Sequence, residues 1–79
     1  MKPLEIKGAR TRLGYKQQFV ADYLDMSVDS YRKKESGRVN FADVEKVNLA
    51  KLLGLTPEQM NDWLYDGLLP IGEKNVASW

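Results

Sequence analysis

The chain has 79 residues, 43% of them apolar and 29% charged, the size and composition of one small globular domain. Twelve Lys and Arg stand against eleven Asp and Glu, and His and Cys are absent, which excludes zinc modules, histidine-dependent triads and thiol chemistry. No apolar run approaches the roughly 18 residues of a membrane span, and residues 1–13 hold no apolar signal core, so a cytoplasmic protein without membrane association is expected.

In chain order, a first helix is predicted over Glu5–Leu13, with Ile6, Ala9 and Leu13 on its inward face and Arg10 and Arg12 pointing elsewhere. Gly14 supplies its left-handed terminator. A second helix fits Gln17–Leu24, with Val20, Ala21 and Leu24 forming a narrow buried stripe. Asp25 then sits in a turn, where it must tolerate positive φ. Ser27 is a good N-cap for a short polar helix over Val28–Ser36, anchored inward by Tyr31 and stopped by Gly37. Asn40 is the expected cap of the longest helix, Phe41–Leu53, with Phe41, Val44, Val47, Ala50 and Leu53 inward and Gly54 as terminator. Thr56-Pro57-Glu58-Gln59 reads as a capping box opening a fifth helix, which turns Met60, Trp63 and Leu64 to the core and ends at Gly67. No stretch alternates like a strand, so the fold class is all-α. The domain is placed at residues 5–66, and residues 67–79 form an extension expected to be partly disordered. Within it, Leu68–Ile71 is suited either to covering the underside of the domain or to a homodimer contact.

Charge is uneven. Nine basic and five acidic residues lie between Met1 and Arg38, a balance of +4, whereas three basic and six acidic residues follow from Val39, a balance of −3. A polyanion should therefore meet the N-terminal half.

The second and third helices, joined by the three-residue turn Asp25-Met26-Ser27 with small Ala21 at their close approach, match a helix-turn-helix. The run QQFVADYLDMSVDSYRKKESG, residues 17–37, resembles the Cro/CI (XRE) regulators, in which a leading Gln, a small Ala, an apolar turn residue, a Ser cap and a Glu-x-Gly close recur. The likeness extends from Ile6 to about Leu64, because Leu49–Thr56 is similar to the fourth helix of that family and its exit. It implies a five-helix, lambda-repressor-like domain acting in phage or bacterial transcription control, at the lysogenic/lytic switch, on operator double-stranded DNA, on a CI-type repressor, or on both. No cofactor is implied.

The same resemblance implies that the third helix enters a major groove while the helix before it meets phosphate. Lys16 and Gln17 would then hold phosphates, and Val28, Asp29, Ser30 and Lys33 would face base edges. Arg32 lies close by, and Arg38 and Asn40 are candidates for the backbone. Lys33 suits guanine O6 or N7, Ser30 several bases, and Val28 a thymine methyl. Asp29 can accept from cytosine N4 but otherwise repels the backbone. The sequence departs from the family at Asp25, where Gly is usual, at Lys34, where an apolar anchor is usual, and at Lys16, where Thr usually caps. The stem of Lys34 can still snorkel.

A second class of function rests on the same elements. Phe19 and Tyr23 stand four residues apart on the second helix; aromatics at this spacing usually bury, but outside the core they would form an apolar strip. With Asp22 and Asp29, that strip would suit an antirepressor, covering the basic groove-reading surface of a CI-type repressor and partly imitating DNA. The pairs Asp22/Asp25 and Asp62/Asp66 stand at helical spacing, but without His, Cys or a scaffold that makes a pocket they suggest solvated surface rather than an enzyme.

Overall fold

The computed structural model describes residues 1–68. Its elements are α1 (Pro3–Arg12), α2 (Gln17–Tyr23), α3 (Val28–Glu35), α4 (Asp43–Leu53) and α5 (Pro57–Leu64). Among the described residues there is no strand, and no helix is long and apolar enough to cross a membrane. Residues 69–71 of the expected apolar coda lie outside the described part; Leu68 is exposed.

α1 begins two residues earlier than expected, because Pro3 occupies the first turn, where a missing N–H is no loss. This start is tied to α5: the Lys2 N–H donates to the Trp63 carbonyl at 2.8 Å, and the Lys2 ammonium reaches Asp62 at 2.8 Å. Ile6 and Ala9 are buried as expected, but Leu13 is half exposed, since α1 ends at Arg12 and Leu13 is already its cap. Gly14 follows at φ +77 and turns the chain toward α2.

α2 packs more extensively on α3 than on any other helix. Ala21, with no exposed surface, allows that approach; Val20 and Tyr31 are equally buried beside it. Tyr31 and Phe41 stack obliquely at 6.1 Å between ring centroids.

α4 departs most from expectation. It starts at Asp43, and its N-cap is Ala42 rather than Asn40; the Ala42 N–H is satisfied by the Glu45 carboxylate at 2.8 Å, reaching back from the first turn. Phe41 is buried, but in the extended segment before the helix, so its direction sets no phase for the residues that follow. Leu49, Ala50 and Leu53 face the core, while Val44 and Val47 lie roughly 140–160° around the helix from Leu49, 66% and 38% exposed. Gly54 ends α4 in the left-handed region at φ +67.

α5 opens with the expected reciprocal cap: Thr56 Oγ1 accepts from the Gln59 N–H at 3.1 Å, and the Gln59 side chain accepts from the Thr56 N–H at 2.9 Å. Trp63 and Leu64 close the core, with Met60 packed at its edge. Lys46 of α4 places its ammonium 4.4 Å from the centroid of the Tyr65 ring, adding a cation–π contact between α4 and the end of α5.

Candidate functional site

The α2–α3 unit is built by local rules. Leu24 ends α2, Asp25 takes φ +59, and the Met26 N–H returns to the Ala21 carbonyl at 3.0 Å. Ser27 Oγ accepts from the Ser30 N–H at 3.1 Å and starts α3. Three residues thus reverse the chain, leaving the N-terminal side of α3 outward, with Asp29 and Lys33 exposed and Val28 and Ser30 half-buried. Ser30 Oγ accepts from the Ser27 hydroxyl at 3.1 Å.

Behind this face lies a charged cluster that the sequence did not reveal. Arg10, expected to point away from the core, is buried: its Nε donates to Glu35 Oε2 at 2.6 Å, Nη2 to Glu35 Oε1 at 3.3 Å, and Nη1 to the Tyr15 carbonyl at 2.8 Å. The Tyr31 hydroxyl donates to Glu35 Oε2 at 2.7 Å, and Gln17 Nε2 to Glu35 Oε1 at 3.0 Å. Burial pushes the Glu35 carboxyl up, but donation from Arg10, Tyr31 and Gln17, with the Arg10 charge, outweighs it and holds the group below the usual carboxylate range. The Tyr31 phenol is driven strongly up, first by burial and then by its bond to Glu35. Among the described residues no buried side-chain polar atom lacks a partner.

Gln17 therefore faces both inward and outward. Its amide nitrogen is bound to Glu35 and its oxygen accepts Arg32 Nε at 3.1 Å, so the exposed Arg32 guanidinium on α3 is oriented from the buried pair through one side chain. Gln17, expected to hold a phosphate, is thus a half-buried bridge whose amide is already engaged on both sides.

The remaining predicted cations divide into two groups. Lys16, the N-cap of α2 without a side-chain cap bond, is exposed, as are Arg38 and Asn40. Lys33 lies 3.4 Å from Asp29 in an exposed pair one turn apart. Lys34 is withdrawn: its stem is largely covered and its ammonium bonds Glu45 at 2.8 Å, linking α3 to α4 where an apolar anchor would otherwise sit.

On the outer side of α2, Phe19 and Tyr23 are about half exposed, at 49% and 48%, so the strip lies outside the core. Phe19 stacks on Tyr15 at 4.9 Å between centroids, and the two border a shallow hollow of about 530 Å³ with Lys16 and Asp22. The Asp22 carboxylate accepts from Gln18 Nε2 at 2.8 Å.

Comparison of the chain with protein-family models, with curated proteins and with solved structures finds no match in any of the three.

Proposed function

We propose that the chain is a small non-enzymatic transcription regulator of the Cro/CI helix-turn-helix type, which lays α3 in the major groove of operator DNA. The observation that carries this reading is the outward N-terminal side of α3, presented by a three-residue turn and braced from behind through Gln17 and Arg32. Lys33 and Ser30 address base edges, Val28 an apolar base surface, and Asp29 an exocyclic amine donor. Lys16, Arg32, Arg38 and Asn40 flank that helix as phosphate contacts, with Gln17 holding Arg32 in place. Such a domain acts on the lysogenic/lytic choice of a phage, or on an equivalent bacterial promoter.

Fluorescence titration of the full chain onto duplex DNA at several salt concentrations tests this. Log affinity should fall linearly with log salt, by about 0.9 for each phosphate neutralised. Lys33→Glu should weaken binding about tenfold or more, the scale of one lost base contact of about 1–3 kcal/mol. Absence of binding at low salt would overturn it.

The exposed pair Phe19 and Tyr23 favours a second reading, an antirepressor that covers the recognition surface of a CI-type repressor with this strip and with Asp22 and Asp29. A folded Phe19→Ala/Tyr23→Ala variant should then lose capture of that repressor while keeping any DNA affinity. Unchanged capture would exclude the strip as the contact.

A further inference from the structure

We infer that the outward side of α4 is a self-complementary surface that pairs two copies of this chain antiparallel about Val47. Asp43, Val47 and Lys51 follow one another at four-residue spacing and so form a line along the helix, with Val44 beside it. All four are exposed, two of them valines on the side opposite the core. Among the described residues neither Asp43 nor Lys51 enters an ion pair.

The charge order names the occupant. Asp43 and Lys51 stand equally far to either side of Val47 with opposite signs. A two-fold axis through Val47 sets Asp43 against Lys51 of the second copy, and Lys51 against its Asp43, with the two Val47 side chains meeting at the axis. That is the pattern of an isologous contact, in which one patch complements itself. A copy turned parallel would set like charges together. A line of four side chains is far smaller than the roughly 20–30 residues a side of a stable interface, so pairing is weak in free solution. It does not depend on whether α3 meets DNA.

Sedimentation equilibrium of the full chain from about 10 µM to about 1 mM, the range in which weak pairing populates, tests the inference. The mass should rise from one chain toward two. Asp43→Lys alone sets two lysine pairs across the axis, and Lys51→Asp alone sets two aspartate pairs; each should associate at least about tenfold more weakly than the unaltered chain. An equimolar mixture of the two variants restores both opposite-charge pairs, and it should associate like the unaltered chain. The substituted positions are exposed, so circular dichroism should show unchanged helix content. A chain that stays monomeric throughout the range overturns the inference. So do single variants that pair normally, or a mixture that stays monomeric while the unaltered chain dimerises.

Discussion

Glu35 shows how one buried carboxylate serves both stability and the outer face. It accepts from Arg10, Tyr31 and Gln17 together, so removing one partner leaves the others holding a desolvated charge. Arg10→Met should destabilise the domain by about 3–5 kcal/mol at pH 7, the usual result of leaving a buried charge unpaired. The pH dependence should invert as well. In the unaltered chain the folded Glu35 is held below its unfolded value, so between those two values the unfolded state binds more protons. Its contribution is complete above the ordinary carboxylate range and is lost as pH falls through the depressed folded value. Glu45, lowered by Lys34 and the Ala42 N–H against the opposing effect of burial, follows the same direction. In Arg10→Met burial prevails, Glu35 titrates above its unfolded value, and the variant should gain stability as pH falls from neutral. Urea unfolding between pH 7 and pH 3 measures this, and parallel profiles for the two proteins would refute it. Arg32 orientation depends on the same cluster through Gln17, so the variant should also bind DNA more weakly where it is still folded.

At the scale of elements, the α2–α3 turn contains a correctable strain. Asp25 adopts φ +59, a region that an L residue enters at a penalty of about 1–2 kcal/mol, less for Asp, and that Gly enters freely. Asp25→Gly should raise stability by about 0.5–1 kcal/mol, raising Tm by a few degrees in a domain of this size. Thermal unfolding decides it, and a lower Tm would show that the Asp25 side chain supports the turn in its own right. That turn, the Ser27 cap, the Thr56/Gln59 box and the glycine terminators were legible in the sequence because each is a local rule satisfied within a few residues. The phase of α4 was not. Phe41, Val44 and Val47 form an apolar row at three-residue spacing, and Leu49, Ala50 and Leu53 form another. Only contact with the rest of the core selects the second, which leaves Val44 and Val47 facing outward while Phe41 is buried ahead of the helix. Arg10 was missed for a related reason: a charge is buried only where a partner waits, and Glu35 is twenty-five residues away. The available signal was the pattern of Tyr31 and Glu35 one turn apart on α3 with an unassigned cation on the inner side of α1. The placement of Lys16, Lys33 and Arg38 on the surface was legible, because solvated cations at a short polar helix need no tertiary partner.

At the scale of the whole molecule, the net charge of +1 conceals opposed halves, and the cationic half itself carries carboxylates at Asp22, Asp25 and Asp29. Asp29 is the most informative of these. It sits in the first turn of α3, where a negative charge is favoured by the helix dipole by about 0.3–1 kcal/mol, and it lies 3.4 Å from Lys33. Asp29→Asn therefore removes a favourable charge from the helix and releases a cation on the face proposed to meet DNA. Stability should fall by a few tenths of a kcal/mol to about 1 kcal/mol, while affinity for a generic duplex should rise. On a generic duplex, which offers Lys33 no chosen base, the freed ammonium is available to phosphate, and the slope of log affinity against log salt should steepen by about 0.9. The two readouts move in opposite directions, so general damage to the fold cannot imitate the result. If the protein instead covers a basic repressor surface, losing this carboxylate should weaken capture of the repressor and leave the DNA slope where it was. One substitution, followed by urea unfolding, by salt-dependent DNA titration and by repressor capture, thus separates the two readings. A steeper slope with intact capture assigns α3 to DNA, and a lost capture with an unmoved slope assigns it to the repressor.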